Sequence, residues 1–304
     1  MSLSLGHSAS ETFKEMPQSF WSESTMGTMR KYLLESLRYE EMYNRQETIA
    51  RALDGTFEWV FEDPLSADEG DFRWSNFREW LKNGSDIYWI TGKPGSGKST
   101  LMKFIYQDER TRRLLLDWRP GNSLITASFY FDNSRTLLEN SQEALLCSLL
   151  HQLIKAKSGG TDKSLLTILD TLIFSGDLSE PEMIDKLLQA LTLLLEDRVI
   201  SYTFFLDGLN EYEGDKRDLA CLVHQINSHQ NVKVCVSSRP WTEFELAFRK
   251  MPRLVLQHLT YQDIGQYVQQ KFSNHQGFSV LSQYGKSSDR FWDRSSSFQF
   301  QGRE

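Results

Sequence analysis

Hydrophobic and polar positions change period several times along the chain. Residues 1–30 are polar and Ser-rich without period, which predicts a disordered tail. From Lys31 to about Ala52, Leu33, Leu34, Leu37 and Ile49 are interleaved with Glu, Arg and Gln at helical spacing. Thr56 to Phe61 alternates weakly and meets a stop at Asp63-Pro64. Phe72, Trp74, Phe77, Trp80 and Leu81 form an aromatic stripe at helical spacing, read as core packing. Five apolar runs of strand length then appear: Ile87–Ile90, Leu124–Phe131, Tyr202–Leu206, Val232–Val236 and Leu254–Leu256. Helical patterns separate them, including Ala144, Leu145, Leu149, Leu150 and Leu153, then Ile184, Leu187, Leu188, Leu191 and Leu195, then Leu219, Leu222, Val223 and Ile226. Strands alternating with helices predict an α/β fold with a mostly parallel five-stranded sheet covered on both faces.

Function in such a sheet gathers at the carboxyl ends of the strands. The first run leads into Gly92-Lys93-Pro94-Gly95-Ser96-Gly97-Lys98-Ser99-Thr100, which fits the P-loop pattern between a strand and a helix. The glycines let the backbone turn its N–H groups toward phosphate oxygens, and the following helix adds the positive end of its dipole. Lys98 would reach the β- and γ-phosphates, and the Ser99 hydroxyl would hold Mg²⁺. The third run ends in Asp207-Gly208-Leu209-Asn210-Glu211. Asp207 would bind the metal with Ser99, and Glu211 would orient or deprotonate the attacking water. Arg239, after the fourth run, would contact the γ-phosphate.

Composition narrows the partners. Net charge is −7, which argues against a general nucleic-acid surface. No stretch approaches a membrane span, and no amino-terminal signal pattern is present. Cys147, Cys221 and Cys235 each lie in apolar runs and are expected to be buried free thiols. A cytoplasmic location is the expectation.

Taken together, Gly92 to Ser99, Leu206 to Glu211 and Ser237-Ser238-Arg239-Pro240-Trp241 resemble the NACHT-domain NTPases of the STAND class. The nearest likeness is to fungal proteins of heterokaryon incompatibility and innate-immunity-like signalling. It extends over residues 31–273. The resemblance implies a three-layer core with strand order 5-1-4-3-2, ATP or GTP with Mg²⁺, and a nucleotide-controlled switch that self-associates or engages signalling proteins. It also implies a division into a helical linker at 31–82, the NTPase domain at 83–258 and the start of a helical lid at 259–273. An irregular tail at 274–304 would follow, so the chain is expected to be the core of a longer architecture. Relatives commonly carry Asp-Glu where this chain has Asn210-Glu211. Asn210 can orient water but cannot take its proton, so slow hydrolysis is expected. Two alternatives are a nucleotide-binding interaction module without turnover and a small-molecule kinase. The kinase needs an Arg-rich lid, and the only dense cluster, Arg110, Arg112 and Arg113, lies on the wrong segment.

Overall fold

The computed structural model describes residues 23–39, 42–64, 74–132, 140–157, 168, 172, 179–259 and 265. Five parallel strands form one sheet: β1 (Tyr88–Thr91), β2 (Ser123–Tyr130), β3 (Ile200–Asp207), β4 (Val232–Ser238) and β5 (Arg253–Val255). Their spatial order is β2-β3-β4-β1-β5, the expected order read from the other edge. Tyr88 lies beside Cys235, and Leu206 beside Val236.

Alternate residues of the strands feed two cores, as a sheet covered on both faces requires. On one face, Phe129, Phe204, Val234 and Trp89 pack under α1 (Glu23–Leu37), α6 (Gln142–Ala156), α7 (Glu180–Leu195), α8 (Lys216–Asn227) and α9 (Thr242–Phe248). On the other, Tyr88, Ile90, Phe205 and Cys235 pack under α3 (Phe77–Asn83), α4 (Lys98–Gln107) and α5 (Glu109–Trp118). Together the layers form a three-layer α/β sandwich.

The amino-terminal segment departs from its sequence pattern. Helix α1 starts at Glu23, inside the stretch expected to be tail, because Met29, Leu33 and Leu37 seat in the first core. The helix stops at Leu37, and only the short α2 (Asn44–Thr48) follows before Ile49 enters the second core. The segment therefore passes from one layer to the other near strand β2. Tyr43 marks the crossing: its hydroxyl meets His151 Nδ1 of α6 at 2.7 Å. The weakly alternating stretch from Thr56 contains a single 3₁₀ turn, Glu58–Phe61, preceded by Phe57 in the left-handed region at φ 64°.

The aromatic stripe is core where it is described. Phe77, Trp80 and Leu81 are buried on α3, capped by Asn76, whereas Phe72 lies outside the described residues. Cys147 and Cys235 are buried as expected, but Cys221 is exposed. Helix α8 is amphipathic, and Cys221 falls on its outer side between buried Ala220 and Leu222. The expected lid helix at Thr260 to Phe272, with its apolar face, and the tail beyond it lie outside the described residues, apart from residue 265. Among the described residues, no helix is long and apolar enough to cross a membrane.

Candidate functional site

The turn after β1 is shaped by its glycines. Gly95 and Gly97 take φ of 74° and 89°, which other residues adopt only with strain. A Cβ at Gly92 would sit 2.6 Å from Ser96 Oγ. Helix α4 begins directly at Lys98, and Gly97 has no side chain to cap it. Its first amides therefore remain available to the loop. The loop is tied at its start by two adjacent amides: the Gly92 N–H donates to Ser238 O at 3.3 Å, and the Lys93 N–H to Gln257 Oε1 at 3.2 Å. Lys98 folds back over the turn, with Nζ donating to Gly92 O at 2.8 Å and Lys93 O at 2.9 Å. Lys93, Pro94 and Gly95 are exposed, and Ser96, Ser99 and Thr100 are half-buried.

The tips of β3 and β4 supply the acid and its support. Asp207 is buried, and Ser237 donates its hydroxyl to Asp207 Oδ1. Ser237 Oγ in turn accepts the Gly208 N–H at 3.0 Å. Asp207 Oδ2 has no hydrogen-bond partner of good geometry, yet the Ser99 hydroxyl is close enough to favour the charged carboxylate. Burial pushes the Asp207 carboxyl up from the usual range. Ser237, Ser99 and the charges of Arg45 and Lys98 pull the other way. A buried carboxylate with an open oxygen beside a serine hydroxyl suits a hard cation, which would relieve that desolvation.

Charge links the remaining residues. Burial lowers the Lys98 ammonium, Asp207 and Glu211 raise it, and Arg239 adds to the lowering. Lys98, Ser99, Asp207, Glu211 and Arg239, drawn from three strand ends, thus share one electrostatic neighbourhood. Asn210 has a structural partner: its Oδ1 accepts the Arg239 N–H at 2.9 Å and bridges the two strand tips. Glu211 lies in the short 3₁₀ turn Leu209–Glu211, its N–H bonded to Gly208 O at 2.8 Å.

Sequence reasoning gave no role to Ser237, Gln257, Phe57 or Arg45. Ser237 was legible in part, as a hydroxyl ending the strand that follows the Asp207 strand. Phe57 was not. Its ring comes from the amino-terminal segment, with Cζ 3.4 Å from the position of a Cβ at Gly97.

Among known protein families, the one described as Nephrocystin 3, N-terminal, matches residues 55–239, from the turn at Phe57 to the tip of β4. It is a NACHT-like region of STAND-type proteins. No curated protein matches the chain.

Proposed function

The chain belongs to the nephrocystin 3 N-terminal family, and from that premise we propose that it is a nucleotide-binding switch of the P-loop type, taking ATP or GTP with Mg²⁺ and hydrolysing it slowly. The observation that carries this reading is the buried Asp207, with its open oxygen beside Ser99, next to the glycine turn that holds Lys98. Residues 92–100 would bind the phosphates through main-chain amides and Lys98. The Lys98 ammonium would exchange the carbonyls of Gly92 and Lys93 for phosphate oxygens. Ser99 and Asp207 would hold Mg²⁺, which when bound offsets charge on the phosphates. Arg239 would contact the terminal phosphate, and Glu211 would take the proton of the attacking water. As a switch, the protein would change its association with copies of itself or with signalling proteins, and the fungal incompatibility setting belongs to this same proposal. A cytoplasmic location belongs to it too.

A second reading, binding without turnover, draws support from Asn210. Its amide oxygen is committed to the Arg239 main chain, and an amide cannot take a proton from water, so in this reading position 210 gives turnover no help. Calorimetry with Mg²⁺-ATP and Mg²⁺-GTP, beside single-turnover phosphate release, separates the two. Binding with release that Glu211→Gln abolishes and Asn210→Asp leaves within about two-fold supports the switch. General-base loss typically costs about 10²–10⁴-fold. Binding without release supports the module, and no binding of either triphosphate overturns both.

A further inference from the structure

The segment that crosses between the layers is fastened along α4 and just beyond it. Lys103 of α4 is buried and donates to Ile49 O at 2.7 Å. Glu58 pairs with Arg110 of α5 at 2.6 Å, and Arg110 also holds Asp108, which caps that helix. Between these ties the chain turns back on itself. Gly55 takes φ of 82° and Phe57 φ of 64°, and the Thr56 N–H and hydroxyl both donate to Leu53 O, at 2.9 and 2.7 Å. Among the described residues, Phe57 is the only one other than glycine with a positive φ. A bulky residue takes that conformation under strain, which its surroundings must hold in place. The strained turn delivers one contact. Phe57 is buried against Phe104 of α4, with ring centroids 6.1 Å apart, and its Cζ comes within 3.4 Å of where a Cβ of Gly97 would stand. Among the described residues, chain neighbours aside, only Phe57 reaches within 4 Å of that position.

We infer that Phe57 is a positioning residue for phosphate binding: its ring stands in for the side chain that Gly97 lacks and holds the start of α4 in the shape that receives a phosphate. This inference rests on the nucleotide reading given above. Gly97 needs to be glycine, because its φ of 89° strains other residues. The same freedom lets it leave the left-handed region, and the first amides of α4 then lose their common direction. A ring packed against it restricts those alternatives before a ligand arrives, so less ordering is left for binding to supply. The contact bears on the phosphates alone and is indifferent to the base. By linkage, a phosphate that fixes Gly97 also fixes the seat of Phe57.

Calorimetry with inorganic tripolyphosphate, ATP and GTP, each with Mg²⁺, tests this on wild type, Phe57→Leu, Phe57→Met and Val60→Ala, beside denaturant midpoints. Leucine keeps the buried stem but falls short of Gly97, whereas methionine is long enough to reach it. Val60 is buried in the same turn and core without touching Gly97, so Val60→Ala reports destabilisation alone. Phe57→Leu should lose about five- to ten-fold in affinity for all three ligands. Phe57→Met and Val60→Ala should bind within about two-fold of wild type, although Val60→Ala lowers the midpoint. In wild type, tripolyphosphate should slow amide exchange at residues 55–61 as well as at 92–100, a measurement that needs no variant. Protection confined to 92–100 overturns the inference. So does a Phe57→Leu loss for ATP and GTP alone, which makes the ring a base contact, or a Val60→Ala loss as large, which makes the turn merely structural. If wild type binds a nucleotide but not tripolyphosphate, this inference alone falls. If it binds none of the three, the nucleotide reading is overturned and this inference with it.

Discussion

Lys98 and Lys233 make the same kind of contact at opposite ends of the sheet. Each donates to two main-chain carbonyls: Lys98 to Gly92 and Lys93, Lys233 to Trp80 at 2.7 Å and Leu81 at 2.6 Å. Their surroundings differ. Lys98 is half-buried among Asp207, Glu211 and Arg239, and its carbonyls belong to an exposed turn. Lys233 is fully buried at the start of β4, 4.3 Å from the centre of the Trp118 ring, and holds the last turn of α3. Carbonyls at the end of a helix carry partial negative charge, and the indole face adds to it, so both favour the ammonium against the cost of burial. The lesson is that one donor type serves two ends: exchangeable where solvent and acids are near, permanent where nothing can replace the partner.

The sharpest break of this symmetry is Lys233→Ala. It removes the ammonium donor from the Leu81 carbonyl, leaves the Trp80 carbonyl with the Gly84 N–H alone, and opens a cavity beside two tryptophans, so stability should fall by about 3–5 kcal/mol. Denaturant titration measures this, and nucleotide affinity of the folded fraction should stay unchanged. Lys98→Ala should do the reverse. Triphosphate affinity should fall about 100-fold or more, because a charged donor to phosphate is lost, while the denaturation midpoint stays near wild type. Should Lys98→Ala destabilise as strongly as Lys233→Ala, the comparison fails.

A third test uses protons. Burial pushes the Lys233 ammonium down from 10.5 to about 7. Between those values the unfolded chain binds the proton and the folded chain gives it up. Stability therefore rises with pH through that window and is level below about pH 7, with a slope of at most about 1.4 kcal/mol per unit. The window closes from above near pH 9, because buried Cys235 and Tyr88 have raised values and oppose ionisation in the fold. Lys233→Met should remove the rise between pH 7 and 9 in denaturant midpoints. The smallest effect expected is that of Arg239→Ala. Its main-chain N–H bond to Asn210 survives, so diphosphate affinity should hold while triphosphate affinity falls about ten-fold by calorimetry. Equal loss for both nucleotides would make Arg239 structural.

Much of this architecture was legible from local pattern. Five apolar runs with turn chemistry at their ends gave the strands, and the glycine turn with Asp207 gave one end of the sheet its chemistry. What escaped was long-range. Lys233 reads as ordinary alternation in Val232-Lys233-Val234, because its partners are carbonyls of Trp80 and Leu81, and main-chain acceptors leave no trace in composition. Arg45 and Phe57 escaped for a related reason. Their segment has helical spacing up to about residue 52, yet packing on two layers breaks the helix at Leu37 and forces a left-handed turn. Asn210 was read through chemistry, whereas its neighbour across the strand tips gives its oxygen a main-chain partner.

The register of β1 also sets an order of events during synthesis. Tyr88 pairs with Cys235, 147 residues later (235 − 88), and the other neighbour, β5, is made later still. At ribosomal rates of about 5–20 residues per second, the strand bearing the glycine turn waits roughly 7–30 s for its first partner. During that wait its local companions are Phe77 and Trp80, with ring centroids 5.0 and 5.2 Å from Tyr88 in the finished fold. They are already synthesised and can shelter the apolar face of the nascent strand. The sheet can close around β1 only once β4 has left the ribosome. A nascent chain halted before Ser238 would carry the whole glycine turn and still lack the carbonyl that anchors Gly92.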